Sequence, residues 1–197
     1  MGWHVKFMIC VFIVTLFFEG GLYVSSKAVQ PVIERRRSGT ESTQEIDKAL
    51  KNVDNLNEYL TVLCEVKDHY TIFIVAQSEA SKRLRRDARA SLKNLGLHAE
   101  WKQGYQKSYC AVIENGKVVY EEMSPQKIEH SGTFGGGSYT LSSAGYKVGR
   151  SSSIRLNGKE AGVCKRGLNI VVFGTQRGKI VDSVCFDTFD DKNTASR

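Results

Sequence analysis

The sequence predicts an α+β domain, a sheet or sheet pair with helices packed on it. Two patterns carry this expectation. Apolar side chains recur at helical spacing over residues 46–63 and again over 80–95. From residue 108 onward the chain breaks into short apolar runs separated by Asn-Gly and Gly-rich turns. Between the helices, Tyr70–Ala76 (YTIFIVA) is a continuous β-branched run, which reads as a buried strand.

In chain order, the first feature is the apolar segment Phe7–Phe18, resumed by Leu22-Tyr23-Val24 and preceded by Lys6. It is expected to be an N-terminal apolar helix, within a signal-anchor or a cleaved signal peptide spanning residues 1–27. Arg35, Arg36 and Arg37 follow it, and charge bias would hold them in the cytoplasm, in tension with an exported domain. Residues 28–43 (AVQPVIERRRSGTEST) have no apolar period and read as a tether.

The domain is expected over 44–191, with 192–197 as a disordered tail. Ile46, Ala49, Leu50, Val53, Leu56, Leu60 and Leu63 predict one helix ending near Val66, capped by Ser42 or Thr43. Ala80, Leu84, Ala88, Leu92 and Leu95 predict a second, starting near Ser78 or Ser81 and stopped by Gly96. Its outer face carries Lys82, Arg83, Arg85, Arg86 and Arg89, a solvated surface or an anion-binding one. Asn115-Gly116 predicts a hairpin between Ser108–Ile113 and Lys117–Glu121. Asn157-Gly158 predicts another between Ser153–Leu156 and Lys159–Val163. Leu168–Phe173 and Lys179–Phe186 form a third pair, and Gly135-Gly136-Gly137 reads as a flexible joint.

The formal net charge of +7 favours anionic partners such as polysaccharide or lipid head groups; an exported domain would not meet nucleic acid. Cys10 lies in the apolar segment, and Cys64, Cys110, Cys164 and Cys185 permit two disulfides or serve as small buried apolar groups. Enzyme constellations are scarce. His4, His69, His98 and His130 stand apart, and no metal-ligand spacing, nucleophile elbow or catalytic-cysteine signature occurs. No cofactor and no enzymatic activity are therefore expected. Asp182 and Asp187 sit in or beside an apolar strand and need partners, for which Arg166 and Arg155 are candidates. Trp101, Tyr105 and Tyr109, interleaved with Lys102 and Lys107, form either a ligand-stacking surface or core packing.

Three phrases carry a family resemblance: Arg166–Val172 (RGLNIVV), Gly178–Ser183 (GKIVDS) and Phe186-Asp187-Thr188. Together with Ser143–Tyr146 and Ser153–Gly158 they resemble the interleukin-like EMT inducer domain. That domain occurs in secreted cytokine-like proteins and in the stem of a protein O-mannose N-acetylglucosaminyltransferase. Asn57–Gly96 resembles the family's part that follows the Phe-Asp phrase, and Tyr105–Lys117 its closing strand pair, so the chain reads as a circular permutation over residues 45–190. The resemblance implies a compact antiparallel β-sandwich-like sheet pair with two flanking helices, and binding rather than catalysis. The stem's sugar contacts, an Arg, an Asp and a second Arg, fall on Arg166, on Ser78 with Glu79 beside it, and on Gln106 with Lys107 beside it. Two of the three are changed here.

The expected function is thus a non-enzymatic extracellular or envelope binding module for carbohydrate, membrane-anchored through residues 7–24 or secreted. A protein-interaction or cytokine-like signalling domain is the alternative. Arg166, Ser78, Glu79, Gln106 and Lys107 are the candidate ligand-binding residues.

Overall fold

A computed structural model describes residues 43–189 and 194–197; the apolar segment 7–24 and nearly all of the tether lie outside the described residues. Among the described residues, three α-helices and two antiparallel sheets form an α+β fold. No described helix is long and apolar enough to cross a membrane.

The stripe expected to form one helix forms two, α1 (Thr43–Asn52) and α2 (Leu56–Val66). The break is chemical. Asn55 is extended, and its side-chain oxygen accepts from the N–H groups of Asn57 (2.9 Å) and Glu58 (3.3 Å), capping a new helix. The carbonyls freed at the end of α1 are also taken: Arg197 Nη2 donates to Leu50 O and Val53 O, each at 2.9 Å. The apolar period continues across the break, so Ile46, Leu50, Leu56, Leu60 and Leu63 all reach one core.

Strand β1 (Tyr70–Gln77) pairs with β2 (Ser108–Glu114) on one side and β8 (Gly167–Gly174) on the other. With β3 (Lys117–Ser124), β9 (Lys179–Phe186) and β10 (Ala195–Ser196) they give a six-stranded sheet ordered β10-β9-β8-β1-β2-β3. A four-stranded sheet is ordered β4 (Ile128–Phe134), β5 (Gly137–Ser143), β6 (Ser152–Leu156) and β7 (Lys159–Glu160). The central strand explains its own composition. Ile72, Ile74 and Ala76 face the helices, while Phe73 and Val75 face the second sheet beside Phe134, Tyr139, Leu141 and Ile154. Both faces are dry, so every residue from Tyr70 to Ala76 is apolar or a buried threonine.

Both Asn-Gly hairpins form, with Asn115, Gly116, Asn157 and Gly158 all in the left-handed region that a two-residue turn of this kind needs. The hairpin of β8 and β9 forms as well. Other expectations are corrected. Gly135-Gly136 is no joint; it is the turn of the β4–β5 hairpin, in which Phe134 pairs with Gly137. Helix α3 spans Arg86–Asn94 and starts later than expected, because residues 81–83 are drawn into a turn under the Glu79 carboxylate. Gly96, at φ +97°, ends that segment. Residues 194–197 are not a loose tail: β10 pairs with β9, and Thr194 bridges Asn55.

Two further expectations resolve into structure. Asp182, 5% exposed, is partnered by neither Arg166 nor Arg155; it accepts from Tyr59 Oη at 3.0 Å and from Arg197 Nε at 3.1 Å. Burial, then the adjacent Asp182 carboxylate, raises the Tyr59 hydroxyl well above its ordinary pKa, so it stays a donor. Cys64, Cys110, Cys164 and Cys185 are all free thiols.

Candidate ligand-binding cleft

One end of the six-stranded sheet gathers the candidate residues. Here β1 and β9 finish and β2 and β8 begin, since Gln77 pairs with Gly167 and Leu168 with Phe186. Buried serines lock this end to the second sheet. Ser143 Oγ donates to Ala76 O at 2.6 Å and accepts from Tyr109 N at 2.9 Å, and Ser108 Oγ accepts from Gly145 N at 2.9 Å. The approach is close enough that a Cβ on Gly145 would collide with the backbone carbonyl of Gln106.

The result is a cleft of about 450 Å³ that brings Ser78, Glu79, Gln106 and Arg166 together with Gln77, Lys82, Tyr105, Tyr146, Arg150 and Phe189. Lys107 lies next to Gln106 in sequence but does not line the cleft. Three of the chain's exposed large apolar side chains stand on this one surface: Tyr105 at 57%, Tyr146 at 43% and Phe189 at 38%. Such side chains are scattered on an ordinary surface; their convergence makes this end of the sheet a candidate binding face.

Glu79 is a builder of the cleft. It is 3% exposed, and its Oε1 accepts from Ser81 N (2.7 Å), Ser81 Oγ (2.7 Å) and Lys82 N (2.8 Å). Its Oε2 accepts from Gln106 N at 2.5 Å, so one carboxylate stitches the loop after β1 to the loop before β2. Arg166 is held by Asp187, with Nη2 to Oδ2 at 2.6 Å and Nε to Oδ1 at 3.2 Å. The same carboxylate accepts from Phe189 N at 3.0 Å, and the guanidinium carbon lies 4.7 Å from the Phe189 ring centroid. Lys82 Nζ lies 4.7 Å from that centroid too. Arg150 stacks on Tyr146 with its guanidinium carbon 3.7 Å from the ring centroid.

The backbone is strained here. Ser78 (φ 65°), Gln106 (φ 59°) and Arg150 (φ 52°) are non-glycine residues in the left-handed region, and all three line the cleft. Each costs about 1–2 kcal/mol relative to ordinary backbone, and such strain concentrates at functional surfaces. The hydrogen bonds of Ser78 N to Ala144 O (3.1 Å) and Arg150 N to Gly145 O (3.2 Å) hold two of them there.

No family model, characterised protein or solved structure matches the chain. The assignment of a site therefore rests on geometry. A larger groove, about 940 Å³, runs beside α3 and is lined by Arg86, Arg89, Lys93 and Lys102 among others. Its indole, Trp101, is 6% exposed and packed on Tyr109 with centroids 4.5 Å apart, so it offers no open aromatic face. Of the three aromatic residues in the aromatic-basic segment read from sequence, Trp101 and Tyr109 are core and Tyr105 is exposed. The smaller cleft combines open rings, charge and strained backbone, and it is the better candidate.

Sequence reasoning missed Tyr146, Arg150 and Phe189 as cleft residues. Phe189 had one signal, an aromatic placed just past the end of β9. Arg150 had none, because a left-handed φ at a non-glycine residue leaves no mark in the sequence. Among the described residues, no group of three His, Cys, Asp or Glu side chains is placed to hold a metal ion.

Proposed function

We propose that the chain is a non-enzymatic carbohydrate-binding module and that the cleft at the end of the six-stranded sheet receives the sugar. The observation that carries this reading is the convergence of Tyr105, Tyr146 and Phe189, exposed on one surface beside Arg166, Lys82 and Arg150. The apolar face of a pyranose stacks on such rings, and its hydroxyls accept from the flanking cations. A non-catalytic role agrees with the state of the cleft's one lining carboxylate, Glu79, whose oxygens already serve four donors.

The resemblance to the interleukin-like EMT inducer domain is part of the proposal. It is supported by the grouping of Ser78, Glu79, Gln106 and Arg166, residues far apart in the chain, in one cleft. A circular permutation is supported by the Asn55–Thr194 bridge, which sets the segment after β9 against the start of α2. The sandwich-like arrangement it implies is supported by the apolar layer shared between the two sheets. Placement of the domain on an extracellular or envelope membrane surface belongs to the same proposal and rests on residues 7–24.

A glycan array probed with the full chain tests the reading. Saturable binding to defined glycans is expected, weakened in Tyr105→Ala, whose exposed ring can be removed without opening the core, and in Arg166→Ala. Absence of saturable binding to any glycan would overturn it in favour of a protein-interaction domain.

A further inference from the structure

Among the described residues, the acids of the cleft are held by donors, and two of its cations have no carboxylate partner. Glu79 serves four donors, and Asp187 serves Arg166 and Phe189 N. Lys82 and Arg150, by contrast, have no carboxylate partner among the described residues. Among the described residues, the uncompensated charge facing a ligand is therefore positive, and it is split between a flexible ammonium and a fixed guanidinium.

Arg150 is the fixed one. Its backbone is in the left-handed region at φ 52°, tied by N–H donation to Gly145 O at 3.2 Å. Its Nε donates to Tyr146 O at 3.3 Å while its guanidinium lies over the Tyr146 ring. Anchored through Nε and stacked on one face, the guanidinium keeps its two terminal nitrogens for a ligand, and that planar pair matches a carboxylate in a two-point grip. A neutral sugar could accept hydrogen bonds from this pair and from the Lys82 ammonium but would bring no counter-charge to them.

We propose that the ligand is a carboxylated sugar, a pyranose stacked on the exposed aromatic rings with its carboxylate gripped by Arg150 and further neutralised by Lys82. The inference rests on the glycan reading above and narrows it to one chemical class. It makes Arg150 the residue that sets specificity, with Tyr146 as the platform that positions it.

The test is isothermal titration of the full chain with methyl β-glucuronide, the methyl α-glycoside of N-acetylneuraminic acid, and neutral methyl β-glucoside. At low salt, at least one acidic glycoside is expected to bind about tenfold more tightly than the glucoside, an advantage that shrinks as salt is raised. Arg150→Lys keeps the charge and removes the fork; it should weaken the acidic glycoside about tenfold and the glucoside by clearly less, so the acidic preference shrinks. Equal affinity for acidic and neutral glycosides would overturn the inference and leave the glycan reading standing. No saturable binding of any of the three would overturn the inference, and the glycan array decides the glycan reading separately. The comparison of glycosides on the unaltered chain needs no variant, so its outcome does not depend on how Arg150→Lys folds.

Discussion

Glu79→Gln separates a residue that builds the cleft from one that touches its ligand. The buried carboxylate accepts three bonds at Oε1, from Ser81 N, Ser81 Oγ and Lys82 N, and one at Oε2, from Gln106 N. Glutamine has the same shape and one acceptor oxygen. If that oxygen keeps the Oε1 position, the three bonds survive in weaker, uncharged form, and the amide NH₂ is set against the Gln106 N–H. Loss of one charge-assisted bond costs about 2 kcal/mol, and weakening the other three adds about 0.5 kcal/mol each. Removing a buried charge returns about 1–2 kcal/mol of desolvation. The net expectation is a loss of about 2 kcal/mol, or about 4–8 °C in Tm for a chain of this size. Urea denaturation with an unchanged m-value is the assay. A change in stability below about 0.5 kcal/mol would refute the reasoning. So would an affinity loss at full stability, since that outcome would put the carboxylate in direct contact with ligand.

Gly145→Ala places a Cβ against the Gln106 carbonyl oxygen, a backbone atom that cannot rotate away; a loss of about 1–3 kcal/mol by urea denaturation is expected, and an unchanged midpoint would show that the two loops are not in contact. Arg197→Met leaves Asp182, 5% exposed, without its cation and should cost about 3 kcal/mol, with Arg197→Met/Asp182→Asn recovering part of it; additive losses would mean the pair is not coupled. Burial pushes the Cys64 thiol up to about 11 and the Cys185 thiol up to about 12, so both stay protonated and react slowly with a disulfide reagent at neutral pH until the chain is unfolded; rapid labelling of the native protein would contradict their placement. Partial burial works to raise the Glu160 carboxyl, but donation from Ser153 Oγ and from the N–H groups of Ile154 and Gly162 outweighs it and leaves its pKa below the ordinary value. A lowered folded-state pKa stabilises above the unfolded value of about 4.3 and the contribution is lost as pH falls through the folded one; the wild type should therefore lose more stability below that pH than Glu160→Gln, and parallel pH profiles would refute it.

The legibility of this chain divides along the physics that each feature depends on. Strand β1 was readable because a run of apolar β-branched residues has only one favourable home, between two dry faces, and both Asn-Gly hairpins were readable because the turn itself demands those residues. The break between α1 and α2 was not readable from the apolar period, which runs through it unperturbed; the signal was Asn55, a capping residue in mid-stripe, together with the guanidinium of Arg197, at the far end of the chain, that takes the freed carbonyls. The β4–β5 hairpin was hidden for a different reason. Its strands alternate inner and outer residues, with Glu, Ser and Thr on the outer face and glycine, histidine and serine interrupting the inner one, so the apolar density of any window is low although the period is two. The cleft divides in the same way. The resemblance brought forward Arg166, Ser78, Glu79 and Gln106, yet the role of each depends on what stands opposite it. Asp187 fixes Arg166, and Glu79 holds four donors, so both carboxylates serve to build the cleft. What remains chemically open in the cleft is Arg150 on Tyr146, with Lys82 and the exposed rings, a set assembled by the turn at Gly145 and by backbone strain. If a ligand selects among anions here, the selection resides in that turn, where the backbone conformation rather than a motif decides which way a guanidinium is presented.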